Sequence, residues 1–422
     1  MDTTIPLIAL GVLILLGSML KRVFVLKKIP DILTLILIGI IAGPVLNIIT
    51  PQDFGIIGPI FAIATLVIIL FESGSSIEIG DLIDSLKTGV LLSLLSFVFT
   101  VAIAAGVFTY FFHVDSVTAI LFGCIVGGTS SAIVIPLIKH LTVSPLTQST
   151  LMLESVLTDV FCIITTLNIM TMVKTSVFDP QTAFFSMGSV FFIAIGTGIT
   201  SGFFWALLKD KIQNIKNIFT IPAVVCIVYG ITELMSGSGA IAVLIFGVVV
   251  ANAHFLISNQ NESLKEIKFS RLTRYESEFF AQLVDLLKIF FFIYVGISLK
   301  SSSTFMILVC IFLVALIHLF RYPIIIATIH SHISRQERWI AVAMIPKGLA
   351  AAVLAGLPLQ QGFVHGELIE SMTYTVVIVS IISTSLLSFI IEYKINKNKP
   401  EGVVDISILD NDVQDAKPAA AT

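Results

Sequence analysis

Apolar residues run along this chain in long uninterrupted stretches, each about as long as a helix needs to cross a bilayer and each bounded by a short polar connection. A window of about 19 residues marks about thirteen such spans. They run approximately Ile5 to Met19, Ile32 to Ile49, Ile56 to Phe71, Val90 to Phe112, Val117 to Ile138, Thr150 to Met172, Phe184 to Leu208, Ile218 to Met235, Ala240 to Leu256, Phe279 to Ile297, Phe305 to Ile329, Trp339 to Leu357, and Met372 to Ile391. The pattern predicts an all-α polytopic membrane protein. Residues 1–393 form its transmembrane part, and residues 394–422 a short polar tail expected to be disordered. The first span lacks a basic region before it and a small-residue cleavage site after it, so it reads as a retained helix and not as a signal peptide.

Two spans are interrupted. The fifth reads Gly123-Cys-Ile-Val-Gly127-Gly128-Thr129-Ser130-Ser131-Ala-Ile-Val-Ile-Pro136, and paired glycines followed by three hydroxyl residues make a poor continuous helix. The twelfth reads Met344-Ile-Pro346-Lys347-Gly348-Leu-Ala-Ala-Ala-Val-Leu-Ala-Gly356-Leu-Pro358, with proline and glycine flanking a lysine at membrane depth. Unwound backbone inside a bilayer survives only where it is buried in protein or lines a cavity, and two such segments in corresponding positions point to a transport site. Glycines alone would equally serve close helix packing. The lysine beside them is harder to explain that way.

Basic residues separate the two sides. Lys21, Arg22, Lys27, Lys28, Lys139, Lys209, Lys211, Lys216, Lys265, Lys268, Arg271, Arg274, Arg335 and Arg338 fall on one set of alternate connections, and the other set offers little beyond Lys174 and Lys300. The basic side is expected to be cytoplasmic, which puts the N-terminus outside and Lys394, Lys397 and Lys399 inside. The longest internal connection, about Ser258 to Tyr275, reads equally as an interfacial helix or a solvated linker.

Composition strengthens the membrane reading and removes other functions. The chain is 56% hydrophobic and 12% charged with a mean hydropathy of +1.04, well beyond what a soluble core requires. A net charge of -3 and the lack of a basic stripe exclude a nucleic-acid partner. Cys124, Cys162, Cys226 and Cys310 lie in apolar runs without CxxC spacing and read as small core residues. No HExxH or paired-aspartate protease motif is present, so neither an enzyme nor a cofactor is expected.

Against this background the sixth span carries Glu154-Ser155-Val156-Leu157-Thr158-Asp159. A carboxylate in hydrocarbon costs several kcal/mol unless it is paired, neutralised or facing water, so intramembrane acids mark ion or proton pathways. Glu154 and Asp159 point about 140° apart on a helix, with Ser155 on the face of Asp159 and Thr158 on the face of Glu154. Arg321, well inside the eleventh span, stays protonated and needs an anion; Glu154 is the best candidate by depth. Asp159 is then left unpaired, able to hold a proton or a cation. Asp285 and Lys288 read as a local ion pair, Glu233 as an interfacial residue, and His318 as a hydrogen-bonded core residue with a proton relay as the alternative. Glu72 is as consistent with a solvated position as with a functional one.

From about Ile5 to Tyr393 the pattern resembles the monovalent cation/proton antiporters, most closely the NhaP-type sodium/proton exchangers. The resemblance implies an inverted-repeat fold with two broken crossing helices. A core domain around the fourth to sixth and eleventh to thirteenth spans would move against a dimerisation domain around the first to third and eighth to tenth, in a homodimer of the cell membrane. Na+, or else K+ or Li+, would exchange for H+. Asp159 would bind ion and proton with Ser155 and Thr129 beside it, Glu154 would pair with Arg321, Glu72 would line the cation's path, and Lys347 would neutralise half-helix dipoles. Thr158 and Ser130 stand in the family's Asn-Asp pair and Thr-Asp-Pro run as uncharged members of the site. With Asp159 alone titrating, one proton is expected per cation. A gated cation channel is the reading from another class, since the same broken helices would serve it.

Overall fold

A bilayer offers no hydrogen-bond partner to backbone N–H and C=O groups, so each apolar run satisfies them internally by coiling. The computed structural model describes residues 31–50, 57–75, 79–139, 141, 143–175, 180–211, 219–258, 274–298, 303–329 and 333–397, with Gly11 and Leu15. Its elements are α1 (Asp31–Ile40), which continues into a π-helical turn at Ile41–Val45, then α2 (Ile57–Ser75), α3 (Ile79–Phe112), α4 (Ser116–Val126), α5 (Ser131–Lys139), α6 (Pro145–Thr175), α7 (Pro180–Lys211), α8 (Thr220–Leu234), α9 (Gly239–Ser258), α10 (Arg274–Ile297), α11 (Thr304–Thr328), α12 (Arg335–Ala343), α13 (Leu349–Gln360) and α14 (Gly366–Lys397). No strand occurs among the described residues. Six of these helices are long and apolar enough to cross a membrane. The chain is a multi-pass membrane protein.

Expected spans from the second onward coincide with a helix or a broken pair of helices; the first span apart from Gly11 and Leu15, residues 259–273 of the long connection and residues 398–422 of the tail lie outside the described residues. Two helices outrun their apolar cores. The third begins at Ile79 and not near Val90, and α14 begins at Gly366 and continues to Lys397, so the tail starts as helix. Helical hydrogen bonding propagates through polar residues once nucleated, whereas a hydropathy window registers only the apolar part.

The order long helix, broken pair, long helix occurs twice: α3, α4 with α5, α6; then α11, α12 with α13, α14. These helices pack on one another, α3 against α4, α6 and α11, and α14 against α11, α12 and α13. A second set packs around α9, which contacts α2, α7 and α8, while α10 lies against α1 and α2. The sets meet where α2 reaches α13 and α5, where α1 reaches α14, and where α6 reaches α7 and α9. Within the second set α1 and α10 cross backbone to backbone, since a Cβ on Gly296 would lie 2.8 Å from the Gly39 Cα. Many large apolar side chains point outward, such as Phe192 and Phe204, as a lipid-facing surface requires.

Local polar residues set where the broken helices begin. Asp115 caps α4 by accepting the Thr118 N–H at 3.0 Å, and hydrogen bonds from the Thr118 side chain and amide hold its carboxyl below the usual range. Ser334 and Glu337 form a reciprocal capping box at the start of α12. The other oxygen of Glu337 accepts the Ser144 N–H at 2.6 Å, tying that start to the connection ahead of α6.

Candidate functional site

The fifth span parts at Gly127–Ser130 and the twelfth at Met344–Gly348, and the two gaps meet. Breaking a helix frees amides that must find partners in the absence of water. Each amide of the first gap's exit has one. Thr129 N–H donates to the Thr158 hydroxyl at 3.0 Å, Ser130 N–H to the Pro346 carbonyl at 2.8 Å, and Ser131 N–H to Asp159 Oδ2 at 3.2 Å. In the second gap Lys347 N–H donates to the Ser380 hydroxyl at 2.9 Å. Gly128 lets the chain pass close to α6, because a Cβ there would sit 2.8 Å from the Cys162 sulfur and 3.0 Å from the Thr158 carbonyl oxygen.

Asp159 is 6% exposed on α6 and faces this crossing. Besides the Ser131 amide it accepts the Ser131 hydroxyl at 2.8 Å, also on Oδ2. Lys347, 1% exposed, lies within electrostatic reach of Asp159, Glu154, Arg321 and Cys162, but forms no direct ion pair with either carboxylate among the described residues. The carboxylate is thus held by neutral donors at the start of a half-helix.

Glu154 occupies a different environment on the same helix. Both of its oxygens accept from Arg321, Oε1 from Nη1 at 2.6 Å and Oε2 from Nη2 at 2.7 Å. The guanidinium also donates from Nε to the Ala341 carbonyl at 2.8 Å and from Nη1 to Ser96 Oγ at 3.3 Å. Ala341 belongs to the last turn of α12, where unpaired carbonyls carry partial negative charge, so one cation satisfies a carboxylate and a helix end together. A small crevice between α3 and α11, lined by Ser96, Thr100 and Arg321 among apolar side chains, reaches this pair from outside.

The remaining sequence candidates are placed as follows. Thr158 is enclosed between breaks and backbone: its hydroxyl donates to the Glu154 carbonyl at 2.8 Å and lies 3.2 Å from that of Thr129. Ser155 is buried, but its hydroxyl turns back to the Met152 carbonyl at 2.8 Å and not toward Asp159. Ser130 packs against Gly348 in the opposite gap. Glu72 is half-buried on α2, and no contact joins it to Asp159 among the described residues. His318 contacts the Val342 carbonyl at 3.2 Å and the Ser383 hydroxyl, spanning α11, α12 and α14. Glu233 accepts the Gly239 N–H at 2.8 Å and so caps α9. Ser131 stands in the hydroxyl run with nothing in the sequence to mark its contact to Asp159, and nothing there marks Ser96, Ser380 or the Ala341 carbonyl.

The transmembrane sodium/hydrogen exchanger family matches residues 8–392. The chain belongs to the sodium/hydrogen exchanger family. Among curated relatives, the chain is similar to Na(+)/H(+) antiporter 1 of Methanocaldococcus jannaschii, 32% identical over 164 residues, which is 37% of each chain. It is similar over a longer stretch to the probable Na(+)/H(+) antiporter 2 of the same organism, 27% identical across 69% of this chain and 68% of that one. The K(+)/H(+) antiporter NhaP2 of Shewanella baltica is 22% identical across 87% of this chain and 64% of its own length. In fold, the chain matches the structure of the sodium proton antiporter MjNhaP1 from M. jannaschii at pH 8 with a TM-score of 0.69 at 23% identity, covering 93% of this chain and 97% of that one.

Proposed function

We propose that this exchanger is a secondary active transporter that moves a monovalent cation, Na+ in preference to K+ or Li+, in exchange for H+ across the cell membrane. The observation that carries the reading is Asp159: a deeply buried carboxylate at the meeting of two broken helices, held by hydroxyl and amide donors while the neighbouring Glu154 takes the arginine. An anionic carboxylate crosses an apolar barrier at a large desolvation cost, and either a proton or a cation at the carboxylate removes that cost. Proton and cation therefore compete for Asp159, and whichever is bound crosses. With Asp159 the group that changes occupant, one proton exchanged for one cation moves no net charge. The names of the two M. jannaschii relatives favour Na+, and that of the S. baltica relative keeps K+ as the alternative.

In this reading α3–α6 with α11–α14 form the moving core. The set around α9 and α10, with the first span, forms the scaffold through which two copies associate. The basic connections face the cytoplasm, with the N-terminus outside. In proteoliposomes carrying an imposed proton gradient, added Na+ is expected to collapse the gradient with wild-type protein. With Asp159→Asn the signal is expected to fall to that of protein-free vesicles. Normal exchange by Asp159→Asn would overturn the reading.

A further inference from the structure

We propose that Ser131 is a ligand of the transported cation and the residue that sets its affinity, an assignment that rests on the antiport reading of Asp159. Ser131 is 2% exposed and is the first residue of α5. Its two donors reach the same oxygen of Asp159, the amide at 3.2 Å and the hydroxyl at 2.8 Å, and they are not equivalent. The amide is part of the helix backbone and cannot turn. The hydroxyl is a rotor with one proton and two lone pairs. When a cation arrives at the carboxylate, the amide keeps Oδ2 in place while the hydroxyl swings its proton away and lends a lone pair to the ion, as hard cations require of their oxygen ligands.

Three neighbouring hydroxyls are committed elsewhere. Thr158 donates to the Glu154 carbonyl and accepts the Thr129 amide, Ser155 donates to the Met152 carbonyl, and Ser380 donates to the Val377 carbonyl while accepting the Lys347 amide. Turning any of these toward an ion would strand a backbone amide or give up a bond to a carbonyl. Ser131 gives up only its bond to the carboxylate, whose charge the cation then meets. The site therefore has a ligand that costs nothing else in the fold to recruit.

The test is a pair of variants, Ser131→Ala and Ser131→Thr, assayed for Na+-driven exchange in proteoliposomes beside wild type and Asp159→Asn. Ser131→Ala keeps the amide contact and should raise the KM for Na+ about tenfold with the maximal rate within about twofold, the size expected for losing one bond to a charged group. Ser131→Thr should restore the KM. A second readout is the Na+-dependent rise in melting temperature of the purified protein, expected to shrink in Ser131→Ala and return in Ser131→Thr. An unchanged KM in Ser131→Ala, or equal losses of maximal rate at constant KM in both variants, would overturn the assignment while leaving Asp159 in its role. A wild type without cation-driven exchange would overturn the antiport reading, and the ligand assignment with it.

Discussion

Arg321 and Glu154 bring two full charges into the apolar interior, and four guanidinium N–H groups are matched: two by Glu154, one by Ser96 and one by the α12 carbonyl at Ala341. Such a pair adds little over an apolar replacement but is very sensitive to losing one member, because the survivor stays buried and unpaired. Glu154→Gln is therefore expected to destabilise the protein by about 3 to 5 kcal/mol, read as a lowered melting temperature or a loss of folded protein in detergent. Asp159→Asn should melt close to wild type, since an amide oxygen can still accept from Ser131. Equal destabilisation by the two substitutions would contradict the separation of their roles. The separation itself is legible in sequence: the helical angle between the two acids and the demand of a mid-membrane arginine for an anion require no coordinates. The hydroxyl of Ser155 is not legible in the same way. Its position shares the face of Asp159, yet its hydroxyl finds the Met152 carbonyl one turn back, a local bond that helical serine commonly makes.

At the scale of elements, the two breaks are a single device. The Ser130 amide and the Pro346 carbonyl join the gaps at 2.8 Å, and this bond leaves no room for a side chain at Gly348. A Cβ there would lie 2.5 Å from the Ser130 Cβ and 3.2 Å from the Ile133 methyl. Gly348→Ala should therefore push the crossing apart, lowering stability by about 1 to 3 kcal/mol and slowing exchange, as seen by melting and by vesicle assay. Gly106→Ala on α3, where a new Cβ meets nothing within 4 Å, is the matched control and should be neutral or slightly stabilising. Glycine pairs, hydroxyl runs and a proline beside lysine marked both gaps in the sequence. Which amide each hydroxyl receives was not marked, because partners such as Thr158 and Ser380 lie on other helices and one-dimensional spacing carries no information about them.

For the whole molecule, the order of long helix, broken pair and long helix repeats in α3–α6 and α11–α14, beside the helices gathered around α9 and α10. In the proposed cycle the Glu154 charge stays cancelled by Arg321, and the occupant that changes is that of Asp159. Transport is then expected to be electroneutral. Clamping the membrane potential across proteoliposomes should leave the Na+-driven exchange rate unchanged and produce no current. A steady current whose sign follows the Na+ gradient would refute one-for-one exchange.

Hydropathy by itself determined the membrane class and the positions of the described spans, because a bilayer constrains length and polarity residue by residue, and the glycine, proline and hydroxyl runs marked both breaks. The sixth-span acids and the intramembrane arginine, read as costs, pointed to the candidate site. Only the tertiary structure decided that the two gaps touch, that Thr158 serves the Thr129 amide, that Arg321 also caps α12, and that Ser131 is the hydroxyl on Asp159. Those are contacts between residues far apart in sequence, and their geometry depends on how the helices pack rather than on the composition of any one of them.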